Sequence, residues 1–237
     1  MNEKKRNYRH ELKYICSEGD LQIIEAKIKA ICKADKHGGP SGGYNIRSVY
    51  FDTFQDAFFR ENEAGVDNRK KYRIRIYNGD TSLIKLECKE TLQGAKRKES
   101  CKLSREQCDK LLQGVYDLQC TEGQKLLQRF LLEAKANLYM PKIIVDYNRN
   151  AYVFPIGNVR ITFDRSISSS QEIGHFLEPR IERRLIMPQG KNILEVKYDE
   201  VLPDFIKRLV MCCSNTQRTS FSKYYLCRNY TSGKIVF

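Results

Sequence analysis

The chain has 237 residues, 41% of them hydrophobic, and carries 42 Lys plus Arg against 29 Asp plus Glu, a formal net charge of +13. That is enough apolar material for a real core, and the excess of cations draws anions over a long range, which narrows the partners to polyphosphate, nucleotides, nucleic acid or an anionic membrane. No run approaches the roughly 18–20 consecutive apolar residues of a membrane span, and no apolar stretch follows the charged start MNEKKRNYRH, so the expectation is a cytoplasmic chain without a signal peptide.

Strand-like alternation opens at residues 8–15. Ser17 then caps a helix that carries Leu21, Ile24, Ile28 and Ile31 on one face and ends before His37-Gly38. After a Gly/Pro-rich loop at 37–43, alternation returns at 44–51, 70–77, 82–90 and 96–102. Ser104-x-x-Gln107 reads as a capping box for a short helix stopping at Gly114, and Thr121-x-x-Gln124 opens another with Leu127, Leu131, Ala134 and Leu138. Strands follow at 142–153, 159–164 and 193–199, with loops at 154–158 and 188–190. Pro203 suits the first turn of a helix through Ile206, Leu209 and Val210, and a last strand is expected at 221–227. About eight strands and four helices without regular βαβ alternation predict one α+β domain over 1–237, an antiparallel sheet or barrel. The nine cysteines (16, 32, 88, 101, 108, 120, 212, 213 and 227) form no C-x-x-C pair and read as reduced, small core residues.

Successive strand side chains point to opposite faces, so each alternating segment splits into two sets of neighbours. Arg9, Glu11 and Lys13 share one face. Lys71, Arg73, Arg75 and Tyr77 oppose Tyr72, Ile74 and Ile76; Lys85, Glu87 and Lys89 oppose Ile84, Leu86 and Cys88. Arg160, Thr162 and Asp164 oppose Val159, Ile161 and Phe163, and Glu195 with Lys197 opposes Leu194, Val196 and Tyr198. For any single strand a charged face in water explains the pattern. Mostly basic faces on five or more segments point instead to a sheet curled with those faces inward, where a bound polyanion neutralises them. Arginine forks and lysine point charges suit a triphosphate or longer chain, and the interspersed carboxylates Glu195, Glu11 and Glu87 suit a Mg²⁺ or Mn²⁺ ion bridging to it.

Ordered strings carry this further: R-H-E-L-K-Y at 9–14, R-S-V-Y-F-D-T at 47–53, K-Y-R-I-R-I-Y at 71–77, L-E-C-K-E at 86–90, D-Y-N-R-N-A-Y at 146–152, V-R-I-T-F-D at 159–164, L-E-V-K-Y at 194–198 and F-S-K-Y-Y at 221–225. Across nearly its whole length the chain resembles the VTC domain, the polyphosphate polymerase domain of the vacuolar transporter chaperone family, within the CYTH-like triphosphate tunnel metalloenzymes. The resemblance implies a closed antiparallel barrel of about eight strands with helices outside. It also implies transfer of the terminal phosphoryl group of ATP to a growing polyphosphate chain, usually with Mn²⁺. Relatives on this barrel hydrolyse triphosphate or make cyclic AMP. By motif, Arg73 and Arg75 clamp the phosphates with Lys13, Lys89, Lys98, Arg149 and Arg160; Lys197 and Lys223 join them, and Glu195, with Glu11, holds the metal. Arg73, Arg75, Lys89, Arg160 and Glu195 form the expected catalytic set.

Such a transfer needs alignment and charge neutralisation more than a general base, because an acceptor phosphate is already ionised. A hydrolase would instead use Glu11, Glu87 or Glu195 to orient water. A non-catalytic polyphosphate-binding module is the third reading; glutamates on the basic faces and the lack of stacking platforms argue against nucleic acid. The resemblance reaches neither the phosphoinositide-binding SPX domain nor the membrane helices of the eukaryotic proteins, so any membrane partner is expected to be a separate protein.

Overall fold

The alternation that marks the strands sorts them into one apolar and one charged face, and helices cover the apolar one. The computed structural model describes residues 10–36, 38, 42–92, 95–117, 121–213, 216–220 and 222–233. Arg9, Cys120, Phe221 and most of the 37–43 loop, all named above, lie outside the described residues.

In chain order the elements are β1 (His10–Ser17), α1 (Glu18–Lys29), β2 (Lys33–Ala34), β3 (Gly43–Thr53), α2 (Ala57–Glu63), β4 (Arg69–Tyr77), β5 (Asp80–Leu92), β6 (Ala95–Leu103) and α3 (Arg105–Leu112). They continue with α4 (Lys125–Ala136), β7 (Tyr139–Phe154), β8 (Val159–Ser170), β9 (Arg184–Leu185), β10 (Lys191–Tyr198), α5 (Asp204–Val210), β11 (Gln217–Arg218) and α6 (Lys223–Thr231). Among the described residues the strands join in one 11-stranded sheet, ordered β11-β1-β10-β8-β7-β3-β4-β5-β6, with β2 on β7 and β9 on β8.

The order ends at β11 and β6 instead of returning on itself, which corrects the expected closed eight-stranded barrel. Both ends are poor templates for a closing pair. β11 has only two residues, and β6 carries Arg97 and Glu99 on one face and Lys98 and Lys102 on the other, the charge pattern that blunts an edge strand. The extra strands β2, β9 and β11 are two residues long, too short for alternation to announce them.

The chain divides into two compact units. Unit 1 comprises residues 1–44, 148–167 and 187–221, and unit 2 comprises residues 45–147, 168–186 and 222–237. Unit 1 has its own core, in which Leu21, Ile24 and Ile28 of α1 and Ile206 and Val210 of α5 meet Val159, Ile161, Phe163, Leu194 and Val196. Ser17 caps α1 as expected, accepting from Asp20 N at 3.0 Å, but Ile31 lies past the helix end and is exposed. Pro203 stands at the N-cap of α5. The 154–158 loop turns at Gly157, whose φ of 71° suits glycine and whose Cβ, if added, would lie 2.4 Å from Val201 O.

In unit 2, Tyr72, Ile74, Ile76, Ile84, Leu86 and Cys88 pack against Cys108 and Leu111 of α3 and Leu127, Phe130 and Ala134 of α4. The Ser104–Gln107 capping box forms. The Thr121–Gln124 box does not: α4 starts after Gln124, whose amide donates to Lys102 O at 2.6 Å instead, and Leu138 is exposed. Arg47, 5% exposed, donates to Asp146 at 3.1 Å and to the carbonyls of Phe176 (3.1 Å) and Glu178 (2.5 Å), pinning that segment to β3.

Two further corrections concern helices. The expected strand at 221–227 is the helix α6, because Ser222 accepts from Tyr225 N at 3.2 Å and starts a helical turn. Its densely spaced aromatics imitate alternation. Helix α2 carries Phe58 and Phe59 into unit 2 and has no sequence-level cap; its first turn is held by Asp52 and by Thr53, whose hydroxyl accepts from Ala57 N at 3.0 Å. The eight cysteines among the described residues are free thiols; Cys212 is exposed and Cys101 and Cys213 half-buried, so those three depart from the core reading. No helix among the described residues is long and apolar enough to cross a membrane.

Candidate active site on two charged sheet faces

Register decides which charged side chains become neighbours, because residues directly opposite in antiparallel strands share a face. In unit 2 the pairing across β3, β4, β5 and β6 sets three rows: Ser48–Arg75–Lys85–Lys102, Tyr50–Arg73–Glu87–Ser100 and Lys71–Lys89–Lys98. Those three rows therefore hold seven cations (Lys71, Arg73, Arg75, Lys85, Lys89, Lys98, Lys102) and one carboxylate, Glu87; Asp52 follows Tyr50 on the same face of β3. Like charges placed opposite each other repel, and two of the three rows consist of cations side by side across β4, β5 and β6.

Glu87 is only 2% exposed and sits at the centre of this array. Its Oε2 accepts from Arg73 Nε at 2.7 Å and lies 2.6 Å from Nη2, with Arg75 Nη1 at 3.6 Å; its Oε1 lies 2.6 Å from Lys98 Nζ. Burial pushes the carboxyl up, but Arg73, Arg75 and Lys98 together outweigh it and hold Glu87 well below the ordinary carboxylate range. Hydroxyls orient the forks: Arg73 Nη1 donates to Tyr50 at 2.9 Å, Arg75 Nε to Ser48 at 3.0 Å and Arg75 Nη2 to Tyr147 at 3.5 Å. Lys223, on the first turn of α6, places its ammonium 4.9 Å from the Tyr147 ring centre.

The charged face of unit 1 is built differently. The pairing of β1, β10 and β8 gives the rows Lys13–Glu195–Thr162 and Glu11–Lys197–Arg160. Each lysine meets a carboxylate on its own strand, Lys13 with Glu11 and Lys197 with Glu195, both at 2.6 Å. Arg149 makes a two-pronged bond to the fully buried Asp164, at 2.6 and 2.7 Å, and its Nη2 lies 4.0 Å from Glu195. Arg160 donates to Asp35 through Nε (3.0 Å) and Nη2 (2.6 Å), and Nη2 also to the Tyr44 hydroxyl at 3.0 Å. Four cations thus face four carboxylates.

Sequence reasoning named Lys13, Arg149, Arg160, Glu195, Lys197 and Glu11, which gather in unit 1, and Arg73, Arg75, Lys89, Lys98 and Lys223, which gather in unit 2. It assigned no role to Lys102, Asp35 or the hydroxyls of Tyr50 and Tyr147. Register would have found Lys102, since it lies opposite Lys85, whereas Asp35 reaches Arg160 across 125 positions and leaves no local signal.

No group of three or more His, Cys, Asp or Glu among the described residues forms a ready metal cage. Glu195 and Glu11 stand at diagonal positions of the β1–β10 pair. Two carboxylates are the donor set of a hard cation such as Mg²⁺ or Mn²⁺ that takes its remaining ligands from water and substrate phosphates, so these residues fit a metal shared with substrate.

A family model described as the VTC domain matches residues 8–231. The chain belongs to the VTC domain family. No curated protein matches this VTC chain by sequence. Among solved structures it is similar to a candidate adenylate cyclase from Bacillus halodurans, with 13% identity, a TM-score of 0.53, and coverage of 92% of this chain and 94% of that one. It is also similar to HpAC1 from Hippeastrum, a candidate adenylyl cyclase described as having a dominant triphosphatase activity, with 14% identity, a TM-score of 0.55, and coverage of 95% and 96%. At these identities the likeness establishes a shared fold.

Proposed function

We propose that this VTC domain is a polyphosphate polymerase that transfers the terminal phosphoryl group of ATP to a growing polyphosphate chain, acting as a single catalytic domain in the cytoplasm. The observation that carries the reading is the three rows of seven cations around Glu87 in a member of this family. Arg73 and Arg75 fork onto phosphate oxygens while Lys89, Lys98 and Lys223 add point charges. Glu87 serves as the internal counterion of the phosphate-free state. In unit 1, Lys13, Lys197, Arg149 and Arg160 offer phosphates a charged face of their own, the two arginines chiefly by fixing the carboxylates beside them. Glu195 and Glu11 would hold a divalent ion, Mn²⁺ or Mg²⁺, which would supply charge neutralisation for the phosphoryl transfer. The acceptor phosphate is ionised at neutral pH, so the reaction calls for no histidine or other base.

A triphosphatase acting on inorganic triphosphate or nucleoside triphosphates is the second reading, favoured by the activity ascribed to HpAC1 on the same fold. A non-catalytic polyphosphate-binding module is the third. Incubation with ATP and Mn²⁺, with products resolved by gel and free phosphate assayed in the same samples, separates them. Long polyphosphate with matching ADP, abolished by Arg73→Ala or Glu195→Gln, is the expected result. Free phosphate without polymer would select the triphosphatase, and neither product would select the binding module.

A further inference from the structure

Asp52, at the end of β3, is fully buried, and four donors converge on its carboxylate. Oδ1 accepts from Thr53 N at 2.7 Å and Phe58 N at 2.9 Å; Oδ2 accepts from Phe59 N at 3.0 Å and from the Tyr224 hydroxyl of α6. All four are neutral donors, and the phenol is the one among them that comes from a distant element. Burial and the neighbouring Asp52 charge push the Tyr224 phenol up, which keeps it protonated and donating. Its ring in turn stacks on Tyr50, with centres 5.1 Å apart and planes at 28°, and the Tyr50 hydroxyl accepts from Arg73 Nη1 at 2.9 Å. A continuous path therefore runs from a buried aspartate, through two stacked tyrosines, to the arginine at the centre of the cationic face.

We infer that Asp52 and Tyr224 form a latch that fixes the Arg73 fork, making both of them positioning residues for phosphate binding; the inference rests on the phosphate reading proposed above. A helix docked only for packing would meet the sheet through apolar atoms. The start of α6 instead reaches three cations of β4, Lys71, Arg73 and Arg75. Ser222 and Asn62 hold Lys71 Nζ at 3.1 and 2.6 Å, Tyr224 acts on Arg73 through Tyr50, and Lys223 lies over the Tyr147 ring whose hydroxyl takes Arg75. With the Tyr224 hydroxyl bond broken, the stacked rings can slide, and Arg73 keeps Glu87 but loses the second acceptor that sets its plane. Phosphate binding by a planar fork depends on that plane.

The test compares wild type with Tyr224→Phe, which keeps the ring and removes the bond to Asp52, and with Tyr50→Phe, which removes the acceptor of Arg73. Two readouts are taken on the full chain: the Arg73 Nε–H resonance without ligand, and the affinity for inorganic triphosphate by calorimetry. Both variants are expected to shift the Arg73 resonance in the same direction and to weaken triphosphate about fivefold, the size of coupling found between groups in one network. A Tyr224→Phe protein that melts earlier but leaves the Arg73 resonance and the affinity unchanged would overturn the latch and make the Asp52 contact a purely structural one. Should wild type bind no triphosphate, the ligand-free resonance still decides: a shift upholds the latch while the phosphate reading fails.

Discussion

The two units present charged sheet faces of the same construction and opposite electrostatic outcome. In unit 1 Lys13, Arg149, Arg160 and Lys197 each meet a carboxylate within 4 Å, and the face is balanced. In unit 2 the three rows across β4, β5 and β6 hold seven cations and one carboxylate, and two of those rows set like charges side by side. Alternation alone predicts a charged face for both, so the difference lies in register and in which distant acidic residues fold back. A balanced face is stable as it stands, whereas an unbalanced one attracts anions.

Breaking the balanced side should cost the most. Arg149→Ala strips the buried Asp164 of its two-pronged partner and is expected to destabilise the protein by about 3–5 kcal/mol in chemical denaturation, while lowering triphosphate affinity less than Arg73→Ala does. Next comes Glu87→Gln, which leaves three cations around a neutral amide and should cost about 3 kcal/mol. Its signature is a pH dependence. The folded-state carboxyl titrates below the unfolded one, so its stabilisation is complete above the ordinary carboxylate pKa of about 4.3 and is lost as pH falls through the depressed folded value. The stability gap between wild type and Glu87→Gln should therefore be flat above about pH 5 and close on acidification; a gap that does not change with pH would contradict the pairing.

Arg73→Ala should weaken inorganic triphosphate by about thirtyfold in calorimetry, as expected for a charge-assisted fork. The smallest effect is that of Lys102→Ala, at the exposed edge, which relieves repulsion with Lys85: the melting temperature should hold or rise slightly while triphosphate affinity falls about threefold.

The strands from 44 to 103 were legible because their core-facing apolar residues recur at every second position, as the buried Tyr72, Ile74 and Ile76 show. Arg73, Arg75 and Lys89 could be placed on a shared face for the same reason. Helix α6 was misread because Tyr224, Leu226 and Cys227 supply strand-like apolar density, although Ser222 carried a capping signal. Ring closure was not legible, since it depends on how strands at the ends of the order pair and on edges such as β6 that charge protects. Nor was the occupation of Arg149 and Arg160 by Asp164 and Asp35: the motifs advertise arginines, and only tertiary folding shows which of them already hold a carboxylate.

The central claim is that the cationic face of unit 2 holds phosphates. The most direct measurement is calorimetric titration of inorganic triphosphate into wild type and the Arg73→Ala/Arg75→Ala double variant at two salt concentrations, with circular dichroism confirming that both are folded. The account predicts binding by wild type that weakens steeply with salt and is lost in the double variant. Undiminished affinity in a folded double variant would contradict it.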